Sequence, residues 1–500
     1  MLSVSGALCP KGGPRPPGPI SVKIPGQMNA ASRPSPSAPH GWRAGLLWFP
    51  DSLRPQLRHE ADGLLVTRTD ADGVVRIAAL GPWHELAPQW PGLATTHWPG
   101  LCLAPGFVDL HVHYPQTDVI ASPAPGLLPW LERYTFVHEQ RFGDAAYARE
   151  VADFFLRELL RHGVTSALCF ATAHPESVHA FMQAAQTLGL RMVAGKVLQD
   201  RHSPDGLRDA DKAQSLRQSE ALIARWHGVD RLGYALTPRF APTSSAEQLH
   251  GAGELARQYP DVWIQSHLAE NPDEIRWVRE LFPQARSYLD VYDRAGLLRE
   301  RAVYAHCIHL DDTDRQRMQA CGAVAAVSPT SNLFLDSGFF DFAAAERCGL
   351  RHGLASDVGG GTSFSPFDTM HAAYTVARQS VGRPGLQLSP ERLWWLHSAG
   401  AAQAAGLGAQ VGNLLPGMEA DFIALDPQAT PLLARRSAQA SDLAEWLFGL
   451  IVLGDDRLVA RTVVQGRVLA STAGTTGASS GASSGARSGP RSGAAAGPAA

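Results

Sequence analysis

The sequence predicts an α/β protein: a (β/α)8 barrel of the TIM type, with a small composite β domain drawn from both chain ends. Three observations carry this. Eight short apolar segments between residues 105 and 357 alternate with helix-compatible ones. Alternation on that scale requires parallel strands joined by crossover helices, and eight such units favour a closed barrel over an open sheet. Strand-like pieces also precede and follow the eight, and polar, titratable residues sit where several of the eight end.

The elements follow in order. Residues 1–41 are rich in Pro, Gly and Ser, contain no Asp or Glu up to residue 40, and show no periodicity, so a disordered leader is expected, with Met28 as an alternative start. Residues 42–103 are expected to form the first part of the small β domain. Within them GLLVTRTDADGVVRIAAL (63–80) reads as a hairpin turning at Asp72-Gly73. The barrel is expected over 104–408. Its strands are PGFVDLHVH (105–113), VTSALCFAT (164–172), RMVAGKVL (191–198), LGYALTPRF (232–240), VWIQSH (262–267), AVYAH (302–306), AVAAVSP (323–329) and LRHGLASD (350–357). Between the first two lies REVADFFLRELLRHG (149–163), a helix with Val151, Phe154, Phe155 and Leu159 on one face and Gly163 as its C-terminal stop. ADFIALD (420–426) and ARTVVQGRVLA (460–470) supply the second part of the β domain, over 409–471. Residues 472–500 are a Gly/Ala/Ser tail that cannot build a core.

Composition narrows the function. The hydrophobic share of 45% and charged share of 18% suit a globular enzyme-sized chain. A formal charge of −3 offers no basic surplus for nucleic acid. No uninterrupted apolar run reaches the roughly 18–20 residues that span a bilayer, so no membrane partner is expected. The six cysteines are scattered without CxxC pairs, and the N-terminus has no secretory apolar run, which points to the cytoplasm.

The chemistry gathers at the strand ends. In a barrel of this kind the C-terminal ends of the strands face the active site. Strand alternation sets Phe107, Asp109, His111 and His113 on one side and Val108, Leu110 and Val112 on the other. If the apolar set packs under the outer helices, both histidines enter the barrel mouth. A His-x-His pair alone is weak. It gains weight from His267 ending the fifth strand, His306 the sixth and Asp357 the eighth. Imidazoles with a carboxylate at one face suit one Zn2+ per chain, with Fe2+ as the alternative, and leave a position for water. Such an ion lowers the pKa of its bound water to about 7. Glu270, three residues beyond His267, is placed to shuttle the proton, with Asp357 assisting while touching metal and water.

Here a resemblance becomes specific. PGFVDLHVHYPQ (105–116), PWLERYTFVHEQRF (129–142), TPRF (237–240), QSHLAEN (265–271), SNLFLDSGFF (331–340), SDVGGGTSFS (356–365) and LGDDR (453–457) resemble, in order, motifs of the guanine deaminase family within the amidohydrolase superfamily. The resemblance runs over nearly all of residues 42–470. One departure is VSPTSNL (327–333), where the family often has HCPNSNL; it falls beside the site and bears on substrate tuning rather than on the metal. The resemblance implies the metal-dependent hydrolase type of barrel, hydrolysis of guanine by water to xanthine and ammonia in purine catabolism, and a homodimer. Residue chemistry agrees. Gln116 offers one donor and one acceptor to the N1–H/O6 edge, Arg239 a planar donor fork for O6, and Phe240 an apolar face for the ring. His113, His267, Glu270 and Asp357 complete the substrate contacts, with Trp130 or Phe136 in the lid. Adenine, with an amine in place of O6, would leave Arg239 unpaired.

Rival readings are another deaminase or chlorohydrolase of the superfamily (for 8-oxoguanine, cytosine or an aminotriazine) and a non-catalytic scaffold. Lys196 lies on the third strand rather than at the end of the fourth, so it reads as a structural cation rather than a metal bridge. His309 lies beyond the strand end and yields to His306. The glycines 359–361 lack the Lys-Ser/Thr of a phosphate loop and instead let backbone pass close to the site. His138, His174 and Trp394-Trp395 read as packing or surface residues, and Asp311-Asp312 and Asp455-Asp456 as loop or helix-start acids.

Overall fold

The structure, a computed structural model, describes residues 38–379 and 385–471. The Gly/Ala/Ser tail and the leader up to residue 37 lie outside the described residues. Four strands come first: β1 (His40–Trp48), β2 (Arg58–Thr69), β3 (Val75–Pro82) and β4 (Ala94–Pro105). β1 thus starts two residues inside the span expected for the leader. The barrel strands follow as β5 (Phe107–His113), β6 (Val164–Phe170), β7 (Arg191–Gly195), the short β8 (Val197–Leu198), β9 (Gly233–Pro238), β10 (Trp263–Leu268), β11 (Ala302–His306), β12 (Val324–Val327) and β13 (Arg351–Leu354). The chain then returns through β14 (Phe422–Leu425), β15 (Val459–Val464) and β16 (Arg467–Ser471).

Two sheets result. One runs β13-β12-β11-β10-β9-β7-β6-β5, all neighbours parallel, with β8 against β9. Backbone bonds beyond the end of β13 close it: Asp357 N donates to His111 O at 2.9 Å and His113 N to Val358 O at 3.3 Å. Asp109 adds a side-chain clasp, accepting from Ser356 N at 3.0 Å and from His111 N at 3.2 Å. This is the eight-stranded barrel that the alternating pattern predicts.

One part of the β5 reading is corrected. Val108 and Leu110 do not pack under the outer helices. They join Leu168, Val193, Ala235, Trp263, Val303, Val324, Ala326 and Ala355 in one cluster drawn from strand after strand, the floor of the barrel interior. The helix Ala399–Ala404 plugs this floor, with Trp263 Nε1 donating to Ala405 O at 2.8 Å. Phe107 and Val112 belong instead to the larger core beneath the helices. The pairing of β5 with β6 slips between Asp109 and Val112. That irregularity changes the parity of the strand, so Leu110 and the following histidine both serve the interior.

The first barrel helix is Ala145–Arg161, capped by Asp144, whose side chain accepts from Ala146 N and Tyr147 N. It buries Val151, Phe155 and Leu159, as predicted, together with Ala148, Ala152, Leu156 and Leu160. Phe154 is the exception, at 54% exposure. At about 100° per residue it lies well off the centre of the buried arc. Gly163, at φ +81°, ends the helix in the left-handed conformation.

The second sheet runs β16-β15-β14-β4-β1-β2-β3 and interleaves both chain ends. β2 and β3 are the predicted antiparallel hairpin, while β4 lies between β1, which it joins in parallel, and β14. Three buried charges, Arg231, Glu419 and Asp421, and the partly buried Arg191 tie this sheet to the barrel. Arg231 Nε and Arg191 Nε donate to Glu419 Oε2 at 2.7 and 2.9 Å, and Arg231 Nη1 donates to Asp421 Oδ1 at 3.2 Å. Gln465 N completes Asp421 at 3.0 Å.

Candidate metal centre and active site

Four side chains converge at the barrel mouth. His111 Nε2 lies 3.0 Å from His113 Nε2, which lies 3.2 Å from His267 Nε2. Asp357 Oδ1 is 3.2 Å from His111 Nε2 and 3.4 Å from His113 Nε2. These separations resemble edges of a coordination shell: donors about 2.0–2.1 Å from one tetrahedral ion would be a little over 3 Å apart. His306 stands one step back, its Nε2 3.9 Å from Asp357 Oδ2 and 3.4 Å from Glu270 Oε2. Among the described residues, His111, His113 and His267, and likewise His111, His306 and Asp357, are grouped closely enough to hold an ion.

The protonation states fit a cation. Burial, reinforced by neighbouring positive groups, holds His111, His113 and His267 well below the ordinary histidine value, so they are neutral, the form that binds metal. Outer contacts aim the rings. His267 Nδ1 donates to Arg239 O at 2.6 Å and His306 Nδ1 to Asn332 Oδ1 at 2.8 Å, which leaves each Nε2 lone pair on the site. His306 Nε2 is buried without a hydrogen-bond partner. A cluster of inward-facing lone pairs beside a buried carboxylate is costly in an apolar interior unless a cation satisfies it. The residues present therefore fit a metal ion.

Glu270 is not a solvated loop acid. It is 2% exposed, and its Oε1 accepts from Ser337 Oγ at 3.2 Å. Burial first, and the charge of Asp357 second, push its carboxyl above the usual carboxylate range. Burial likewise raises Asp357. A bound cation opposes both shifts. Backbone strain gathers here too. Ala269, His306, Cys307 and Asp357 hold φ values of 50°, 69°, 53° and 51°. Each such non-glycine residue costs about 1–3 kcal/mol, tolerated where the surroundings enforce it.

The predicted reading residues share one cavity. His113, Gln116, Trp130, Arg239, Phe240, His267, Glu270, His306 and Asp357 line a space of about 380 Å³, with Leu127, Leu131, Leu335 and Gly360. Phe136 packs beneath Arg239, whose guanidinium carbon lies 5.0 Å from the ring centroid. The glycines do permit close approach: a Cβ on Gly359 would meet Gln116 Oε1 at 2.1 Å, and one on Gly360 would meet Asp357 Oδ2 at 3.0 Å.

Other expectations are placed as follows. His309 turns to Ser337 O at 2.8 Å, away from the ligand cluster. Lys196 is a structural cation, bonded to Asp209 Oδ1 at 2.6 Å and Ser215 Oγ at 3.0 Å. Asp311 and Asp455 cap a helix and a helical turn. Four residues went unassigned from sequence. Glu139 binds both Gln116 and Arg239; Asn332 and Ser337 orient His306 and Glu270. Glu274 Oε2 accepts from the backbone of Glu270 and Asn271 at 3.0 and 3.2 Å and its Oε1 accepts from Tyr288 Oη at 2.7 Å. All but Glu274 lie inside the motifs quoted above, and Glu274 stands at the capping-box position after Asn271.

Comparison with known proteins agrees with this geometry. Residues 102–469 match the Amidohydrolase family. A guanine deaminase of Escherichia coli is 42% identical over 421 residues, covering 84% of this chain and 94% of its own length. A solved structure of an E. coli guanine deaminase superposes with a TM-score of 0.81 at 39% identity, over 87% of this chain and 99% of that one. A guanine deaminase from C. acetobutylicum with guanine bound in its active site superposes with a TM-score of 0.78 at 26% identity, over 86% and 100%. This chain belongs to the amidohydrolase family and, within it, to the guanine deaminases.

Proposed function

We propose that the protein hydrolyses guanine to xanthine and ammonia, acting in purine catabolism. The observation that carries this is the shared cavity: Gln116 and Arg239, matched to a lactam edge, open onto the same space as Glu270 and the His/Asp cluster. Relatives bearing the guanine deaminase name support the substrate. His111, His113, His267 and Asp357 would hold one Zn2+, with His306 as a further donor beside Asp357. When bound, such an ion lowers the pKa of water to about 7 and supplies a nucleophile at neutral pH.

The chain's own groups do the rest. Gln116 and Arg239 fix the N1–H/O6 edge, and Phe240 covers the ring. Glu270 takes a proton from the attacking water and delivers it to N3 as the oxygen bonds to C2, so negative charge does not accumulate on the ring. Glu270 or Asp357 then passes the remaining hydroxyl proton to the 2-amino group, the C2–N bond breaks, and ammonia leaves. Glu270 is buried beside the His/Asp cluster, with Oε2 3.4 Å from His306 Nε2, which places it to take and give the proton.

The small sheet is read as one β domain from residues 42–103 and 409–471, flanking a barrel domain over 104–408. The described cysteines are unpaired, which supports a reducing cytoplasmic setting, and no described helix is long and apolar enough to cross a membrane. The family likeness supports a homodimer, which light scattering on the purified chain tests. For the activity, ammonia and xanthine are measured from guanine on a sample of known metal content. Turnover with about one ion per chain is expected. Metal without guanine turnover would redirect the reading to other aminated heterocycles, and neither metal nor turnover would favour a scaffold.

A further inference from the structure

Glu139 is fully buried at the end of the helical turn Phe136–Glu139, in the segment that covers the cavity. Its two oxygens serve different partners. Oε1 accepts from Gln116 Nε2 at 3.0 Å, and Oε2 accepts from Arg239 Nη1 at 2.6 Å. A carboxylate only accepts, so Gln116 must turn its NH2 end toward Glu139. Its carbonyl end is then left as an acceptor, lying over Gly359 where a Cβ would collide with it, on a side chain that lines the cavity. Arg239, held at Nη1, keeps its other N–H groups as donors. Read across the cavity, the pair is acceptor then donor. That is the complement of an N1–H beside an O6.

We propose that Glu139 is a positioning residue that sets substrate specificity, locking Gln116 in the acceptor orientation and Arg239 as its donor neighbour. The inference rests on the guanine reading. It explains why a carboxylate that touches no reacting atom is buried between two groups that read the substrate. Without it, the Gln116 amide is free to rotate by half a turn and present a donor, and the edge is no longer read in one sense only.

The test compares guanine with 2-aminopurine. Both carry the 2-amino leaving group, but in 2-aminopurine N1 is an acceptor and C6 bears only hydrogen. Full-length wild-type protein, E139Q and E139D, all zinc-loaded, are assayed for ammonia release from each, with metal content and thermal unfolding measured on the same samples. In E139Q, kcat/KM for guanine is expected to fall about 10–100-fold, the range of one charge-assisted hydrogen bond. For 2-aminopurine it should change less than about threefold, so the preference ratio collapses by about tenfold or more. E139D keeps the charge but cannot span both partners, and should lower the ratio in the same direction. Equal losses on both substrates, an unchanged ratio, or failure of both variants to fold would overturn the proposal in favour of a purely structural role. Wild-type protein inert on guanine would instead overturn the guanine reading itself, and the inference with it.

Discussion

The ionisable cluster that joins the barrel to the small sheet and the one at the barrel mouth are built on opposite terms. Arg191, Arg231, Glu419 and Asp421 join the barrel to the small sheet with opposite charges in direct contact, each carboxylate engaged by a guanidinium. At the barrel mouth, His113 Nε2 lies 3.0 Å from His111 Nε2 and 3.2 Å from His267 Nε2 beside Asp357, and His306 Nε2 has no hydrogen-bond partner. The first cluster is complete within the chain. The second is complete only with a cation. Burial alone therefore does not separate a structural charge network from a reactive one; internal satisfaction does.

The sharpest way to break this contrast is to remove the ligands. Replacing His111 and His113 together by Ala should abolish detectable guanine turnover and metal binding, read by ammonia release and metal analysis, while the fold persists by circular dichroism. If a doubly substituted protein kept its metal, the cluster would not be its site. Glu270→Gln comes next. It should retain metal yet lose about 10²–10⁴-fold in kcat, because the proton shuttle is gone. Near-normal turnover would take Glu270 out of the mechanism.

The paired cluster should behave in the reverse manner. Arg231→Met leaves the buried Asp421 without a guanidinium and Glu419 with Arg191 alone, and should destabilise the fold by about 3–5 kcal/mol in urea unfolding, with kcat per folded, metal-loaded molecule unchanged. Replacing Arg231, Glu419 and Asp421 together by Met, Gln and Asn should recover most of that loss. If activity fell in parallel with metal content instead, the two clusters would be coupled. The smallest effect is a pH dependence. Burial alone would raise Glu419, but Arg231 and Arg191 hold it below its ordinary value. Its contribution to stability is thus present above its unfolded value, near 4.5, and is lost as pH falls through the folded value. Asp421 is shifted the other way, because burial outweighs its guanidinium, and it opposes this loss. The cost of Glu419→Gln should therefore shrink between about pH 6 and about pH 4, by less than the roughly 1.4 kcal/mol that one full pKa unit would bring. Urea midpoints across that range check it.

The barrel and its five candidate ligands were readable because each strand is a short apolar run and each ligand stands at or near its end. His111, His113, His267, His306 and Asp357 needed no knowledge of packing to be found. The parity of β5 did need it: a slip between Asp109 and Val112 leaves no mark in hydrophobicity, and it placed Val108 and Leu110 on the barrel floor rather than beneath the helices. Phe154 shows a related limit, since a phenylalanine near the edge of an apolar stripe reads as core until the neighbouring surface is known. Glu139 lies 23 residues from Gln116 and 100 from Arg239 in the chain, so only the folded lid brings the three together. Asn332 and Ser337 were hidden for the same reason. Their roles are contacts made across loops, which a pattern of residue types does not encode.

The pairing of β4 with β14 has a consequence for how the protein is made. Leu103 sits opposite Ala424, so a strand near the middle of the small sheet waits for a partner roughly 320 residues further along. At about 5–20 residues per second, a ribosome needs on the order of 20–60 s to deliver it. During that interval the nascent chain carries β4 with one side unpaired, immediately before the strand that bears His111 and His113. Contacts this distant in sequence also slow folding. Completion of the sheet is thus a late event in biosynthesis, and chaperones that shield open strand edges would act in that window.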